Sequence, residues 1–212
     1  MTVKPFSNLL YCTLFTLLAL MTACSQPLPQ LAQLPEDAVV LAFGDSITQG
    51  NGAGPEDSYP AVLASLTGLT VINAGQPGEV TGGGRERLPA LLDQHQPALL
   101  LLCHGGNDLL RKIDPVVTRG NLDAMIDMAH TRGIPVMLVG VPQPGLFMLE
   151  SAELYREVAT RHGLLYDGDI LPDVYSDNGL KADHIHPNAA GYRKIAAAIY
   201  RSMQGSGMLP VR

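Results

Sequence analysis

The 212-residue chain has no tryptophan, only 4 phenylalanines and 7 tyrosines, and 3 cysteines. Its core must therefore be built from aliphatic side chains rather than large aromatic anchors, and a hydrophobic content of 46% is enough for that. Charge is scarce as well: 16% of residues are Asp, Glu, Lys or Arg, and the net charge is −6. So little charge with so much apolar content excludes a disordered polar tail. The few cations are scattered rather than gathered in a stripe, which speaks against nucleic acid as a partner. With 22 glycines and 16 prolines, turns should be frequent. The length suits one domain with extensions.

The N-terminus reads as a targeting segment. Lys4 is followed by an uncharged apolar run, Leu9 to Leu20. That run is short of the roughly 20 residues a membrane-spanning helix needs, and it fits the apolar stretch of a signal peptide over residues 1–23. Leu20-Met21-Thr22-Ala23-Cys24 resembles the lipobox of bacterial lipoproteins, with Met21 in place of the usual leucine. The resemblance implies export, acylation of Cys24, and, with Ser25 rather than Asp after the cysteine, sorting to the outer membrane of a Gram-negative cell. The alternative is an ordinary cleavage site with Cys24 incidental. Residues 24–37 are rich in Pro and Gln and read as a tether, and residues 205–212 as a C-terminal tail. Loss of Cys12 with the signal and lipidation of Cys24 leave Cys103 alone, so no intramolecular disulfide forms. Ending an apolar strand, Cys103 is expected to be a buried structural thiol.

From residue 38 to 204 strand and helix patterns alternate. Apolar runs of strand length lie at Ala38–Phe43, Leu69–Ile72, Ala98–Cys103, Ile134–Val139 and Leu164–Tyr166. Continuous runs of this kind fit parallel strands buried on both faces. Helical spacing lies between them: Arg85–His95 with Leu88, Leu91 and Leu92; Leu122, Met125, Ile126 and Ala129 before Gly133; Leu154, Tyr155, Val158 and Ala159. A last helix after Pro187-Asn188 should bury Tyr192, Ile195, Ala196 and Ile199. The alternation predicts a three-layer α/β/α sandwich with a parallel sheet, whose ligand site lies beyond the carboxyl ends of the strands.

Three islands carry chemistry. Gly44-Asp45-Ser46 follows the first strand, and Ile47-Thr48-Gln49 can open a helix turn whose free N–H groups face a developing negative charge. Taken alone, the same residues also suit a simple helix cap. Gly105-Gly106-Asn107-Asp108 follows the third strand and supplies tight backbone approach plus a neutral amide donor; alone, it is equally a strand-to-loop turn. Asp183-His184-Ile185-His186-Pro187 precedes the last helix. The three-residue spacing lets Asp183 meet His186 within a turn, so His186 is favoured over His184 as a base. His-x-His with Asp can also ligate zinc, but no further cluster completes a metal site. His95, His104, His130 and His162 are expected at surface or structural positions. Together the islands hold what acyl transfer through a serine needs: a nucleophile, a base with its carboxylate, and oxyanion donors.

At this level the chain resembles the SGNH/GDSL hydrolases, within them the bacterial arylesterase, acyl-CoA thioesterase I and lysophospholipase-like branch. The likeness spans about residues 38–202. It rests on Phe43-Gly44-Asp45-Ser46-Ile47-Thr48, Asn73-Ala74-x-x-x-Gly78, Arg87-Leu88-Pro89-Ala90-Leu91-Leu92, Gly105-Gly106-Asn107-Asp108 and Asp183-x-x-His186-Pro187. It implies a flavodoxin-like fold with five parallel strands. It also implies Ser46 as nucleophile, His186 as general base, Asp183 as its partner, and Ser46 N–H, Gly78 N–H and the Asn107 side chain as oxyanion donors, with neither metal nor cofactor. Ile47 stands for the leucine of the GDSL signature, and Glu79-Val80 for the usual Asp-Thr of the thioesterase-like members.

The substrate is expected to be a carboxylic ester or thioester. Leu109, Leu110, Pro142, Leu146, Phe147 and Met148 suit an apolar acyl groove, or simply cover the core edge. Only Arg111 and Lys112 lie near Gly105-Gly106-Asn107-Asp108, too few cations for a coenzyme A phosphate site. A carbohydrate or peptidoglycan O-acetylesterase, and a non-catalytic surface lipoprotein that only binds, remain as alternatives.

Overall fold

The computed structural model describes residues 29–144 and 149–210. The signal-like segment, Cys24, Leu146, Phe147 and Met148 lie outside the described residues. Strand β1 (Val39–Gly44) leads into a one-turn helix, α1 (Ser46–Gln49), and then α2 (Tyr59–Thr67). Next come β2 (Thr70–Gly75), α3 (Thr81–His95), β3 (Leu99–Cys103), α4 (Gly106–Leu110), α5 (Pro115–His130) and β4 (Val136–Val139). A short antiparallel pair, β5 (Pro142–Pro144) and β6 (Leu149–Ser151), follows, then α6 (Glu153–His162), β7 (Leu165–Asp167), α7 (Ile170–Tyr175) and α8 (Ala189–Gly205).

Five strands form one parallel sheet in the order β2-β1-β3-β4-β7, the flavodoxin-like order. Because side chains alternate across a strand, each apolar run feeds two cores. Val40, Ala42, Leu99 and Leu101 meet α2 and α8 through Tyr59, Leu63, Tyr192 and Ile195. Leu41, Phe43, Leu100 and Leu102 meet α3, α5 and α6 through Leu88, Leu92, Met125 and Val158. The three-layer α/β/α sandwich follows directly from that two-sided burial.

Three features differ from the sequence reading. Strand β2 is partly exposed along its length, because it is an edge strand rather than one buried on both faces. Helix α3 starts at Thr81, ahead of the expected Arg85, and runs through Gly82, Gly83 and Gly84. Glycine weakens a helix interior, but here the start is held from outside: Asp108 accepts the Thr81 N–H at 2.8 Å and its hydroxyl at 2.5 Å. Finally, the described parts of the expected tether and tail are packed. Leu31 N–H donates to Ser206 O at 2.8 Å and Leu34 N–H to Met208 O at 3.0 Å. Leu31 and Leu34 lie against the core, and Met208 is fully buried. The folded unit thus extends past residues 38–204 at both ends.

Met208→Ala should therefore cost about 2–5 kcal/mol, the range for emptying a buried aliphatic site. Urea denaturation checks this; an unchanged midpoint would mean that the C-terminal residues are not part of the folded unit.

Candidate active site

The carboxyl ends of β1 and β3 bring Gly44-Asp45-Ser46 and Gly105-Gly106-Asn107-Asp108 together. Gly44 pairs with Cys103 across these strands, and a Cβ on Gly44 would lie 2.0 Å from Cys103 O, so only glycine allows the approach. Asp45 is the N-cap of α1 and accepts the Ile47 N–H at 3.0 Å. Ser46 is the first helical residue, so its N–H has no partner within the helix. Burial pushes the Asp45 carboxyl up and the Cys103 thiol up, leaving the thiol unreactive as a nucleophile.

The turn before α8 folds on one carboxylate. Asp183 Oδ1 accepts the N–H groups of Ile185 and His186, each at 2.7 Å, while Oδ2 lies 2.9 Å from His186 Nδ1. His186 Nε2 lies 3.1 Å from Ser46 Oγ. The side-chain bond to His186, reinforced by the two backbone N–H groups, lowers the Asp183 carboxyl to about 2, so it stays ionised across the neutral range. An ionised partner at Nδ1 holds the ring proton there and leaves Nε2 to accept from Ser46. His184 lines the groove beside Ser46 instead, so His186 is the histidine that reaches the hydroxyl. Among the described residues no group of three or more His, Cys, Asp or Glu is arranged to hold a metal ion.

The segment that carries Gly78 is a β-turn over Gln76–Glu79, closed by Glu79 N–H to Gln76 O at 3.2 Å. Pro77 takes its second position and Gly78, with φ +76, its third, the combination that a type II turn demands. Among the described residues neither the Gly78 nor the Ser46 N–H donates to a protein acceptor. Asn107, in the first turn of α4, joins the islands: its side-chain N–H groups reach Glu79 O at 3.0 Å and Asp45 Oδ2 at 3.4 Å. Arg111, at the end of α4, donates to Gly78 O at 2.9 Å.

Behind these groups lies polar support that single-residue reading missed. Glu79 accepts from Arg87 at 3.0 and 2.7 Å and lies 3.2 Å from His104 Nε2. Burial raises the Glu79 carboxyl, but bonds from His104 and Arg87 outweigh it and lower the group to about 2. Asp108 accepts from Thr81 and Thr118 and ties α3 and α5 to the turn bearing Asn107. The only signal of these roles in the sequence was the departure at Glu79.

A groove of about 660 Å³ opens on Ser46 and Asn107. Leu109, Leu110 and Pro142 line it, together with Val141, Leu149, Leu171, Tyr175, Lys181 and Ile185. The Lys181 ammonium donates to Tyr175 O at 3.0 Å.

A family model described as the GDSL-like Lipase/Acylhydrolase family matches residues 42–194. The chain belongs to this family. Among curated relatives of this hydrolase, an esterase TesA of Pseudomonas aeruginosa is 30% identical over 184 residues, covering 82% of this chain and 92% of the relative. The Thioesterase 1/protease 1/lysophospholipase L1 of Escherichia coli is 28% identical over 172 residues, covering 78% and 83%. A crystal structure of TesA superposes with a TM-score of 0.71 at 28% identity, covering 78% of this chain and 98% of that one. The GDSL-like chain is thus a serine ester hydrolase with the family's three-layer fold.

Because the folded-state value of Glu79 lies below its ordinary 4.5, its stabilising effect is complete above pH 4.5 and fades as the pH falls towards about 2. Glu79→Gln should lower the urea midpoint at neutral pH, and the gap to wild type should close over that acid range. A gap that does not depend on pH would contradict the assignment.

Proposed function

We propose that Ser46, His186 and Asp183 are the working triad of this esterase and that it cleaves acyl esters by way of an acyl-enzyme. The observation that carries the reading is the continuous chain from Asp183 Oδ2 through His186 to Ser46 Oγ, at 2.9 and 3.1 Å, opening on an apolar groove. Ser46 attacks the ester carbonyl as His186 Nε2 takes its proton. The oxyanion is stabilised by the N–H groups of Ser46 and Gly78 and by the Asn107 amide N–H that leaves its long 3.4 Å contact with Asp45, while the other stays on Glu79 O. His186 then returns the proton to the leaving alcohol or thiol, and water enters with the same base to release the acid. The chemistry requires no cofactor.

The groove favours medium or long acyl chains, as in aryl esters of fatty acids or lysophospholipids. A volume of about 660 Å³ walled by leucines and valine is far larger than an acetyl group requires, which weighs against an O-acetylesterase. Acyl-coenzyme A is disfavoured because Arg111, one of the two cations near Asn107, is engaged on Gly78 O. Lys4, the Leu9–Leu20 run and Cys24 support an exported protein anchored in the cell envelope, in the outer membrane, by a lipidated Cys24.

The test is turnover of p-nitrophenyl esters from acetyl to palmitoyl. The expected profile rises towards medium or long chains and disappears in Ser46→Ala, with the urea midpoint unchanged. Asn107→Ala should lower kcat by about 100- to 1,000-fold while Ser46 still reacts with a fluorophosphonate. Ester turnover that persists in Ser46→Ala would overturn the triad, and strict acetyl preference would overturn the acyl groove.

A further inference from the structure

His104 sits between β3 and the Gly105-Gly106-Asn107 turn, fully buried, and the triad does not use it. Each ring nitrogen holds a different loop, one that of Gly105 and the other that of Glu79. Nδ1 lies 2.9 Å from the Gly105 N–H, which can only donate, so Nδ1 is the acceptor. A neutral ring then carries its proton on Nε2, which faces Glu79 Oε2 at 3.2 Å. Glu79 in turn follows Gly78, and its backbone carbonyl accepts the Asn107 amide at 3.0 Å. The contacts close a circuit: His104 to Glu79, Glu79 to Asn107, and Asn107 back to His104 along the chain through Gly106 and Gly105.

The surroundings are built for this ring. A Cβ on Gly84 would lie 2.4 Å from His104 Nε2, so the glycine in α3 makes the space that the imidazole fills. Tyr155 anchors the backbone by donating to His104 O at 2.9 Å. Arg87 holds both oxygens of the Glu79 carboxylate, Oε1 at 3.0 Å and Oε2 at 2.7 Å, donates to Ala74 O at 3.1 Å, and stacks 4.2 Å from the Phe43 ring centroid. A histidine that only filled the core would need to satisfy its nitrogens anywhere nearby. This one spends both on the two loops that bear Gly78 and Asn107.

We propose that His104 is a positioning residue for ester hydrolysis, setting the spacing of the Gly78 and Asn107 donors through Glu79. The inference rests on the oxyanion roles assigned above. A small change in spacing leaves ground-state binding in the groove intact but weakens donors that act fully only when the carbonyl becomes tetrahedral. The signature is therefore a fall in kcat without a rise in KM.

Two variants make the test. His104→Leu removes both bonds; in His104→Asn the amide oxygen takes the place of Nδ1 towards Gly105, but the shorter side chain does not reach Glu79. Both are compared with wild type on a medium-chain p-nitrophenyl ester, alone and combined with Asn107→Ala, and the asparagine variant carries the test if the leucine variant does not fold. The expected result is a kcat about 10- to 100-fold lower with KM within about 2-fold of wild type, and a clearly smaller further loss when Asn107 is already alanine. Losses that multiply in full with Asn107→Ala, an effect confined to KM, or wild-type kcat in His104→Asn would overturn the positioning role. A single Asn107→Ala variant with wild-type kcat would instead overturn the oxyanion reading beneath it.

Discussion

The in-register pairing of β1 with β3 is the constraint on which the site depends. Gly44 and Cys103 face each other at the carboxyl ends of these strands, at a separation that leaves no room for a side chain on Gly44. Each strand then turns at once into a helix, α1 with Ser46 and α4 with Asn107, so the hydroxyl and the amide emerge from one sheet edge. Both strands are buried on both faces by aliphatic side chains. The rigidity of the sheet is thereby passed to the groups it carries. Loops that bind and react are best placed when a packed scaffold fixes their ends.

Around that edge the buried polar side chains are satisfied, and this converts packing into electrostatics. Among the described residues no buried side-chain nitrogen or oxygen lacks a hydrogen bond. Asp45, Glu79 and Asp108 are carboxylates with little or no solvent: Asp45 caps its own helix and accepts from Asn107, Glu79 meets Arg87 and His104, and Asp108 accepts from Thr81 and Thr118. Asp183 differs: it is exposed, yet three hydrogen bonds hold it to its own turn. Asp183 works within its own turn, and the others also through partners that only the fold brings near.

That division explains what could be read from the sequence. The Asp183–His186 pair was legible because a three-residue turn brings the groups together whatever the rest of the chain does. Ser46 and Asn107 were legible because Gly-rich turns follow apolar runs, and the sandwich because those runs alternate with helical spacing. The strand order and the part of Gly78 came from family resemblance and not from spacing. The roles of His104 and Glu79 were not legible, since they are defined by partners 25 residues apart that only the fold brings together. Gly84 gave no hint either, as its value lies in the ring it makes room for. The docking of Leu31, Leu34 and Met208 was hidden for another reason: single apolar residues in a Pro/Gln-rich stretch or a short tail have no periodicity to reveal them. The β5–β6 pair beside the groove is too short for a strand pattern.

The central claim is that His186, held by Asp183, makes Ser46 an unusually strong nucleophile. The most direct measurement is reaction of the intact protein with an alkyl fluorophosphonate followed by peptide mass mapping, in wild type and His186→Ala. The account predicts one adduct per chain, on Ser46, formed far more slowly when His186 is absent. An adduct elsewhere, no adduct, or equal rates in the two proteins would contradict it.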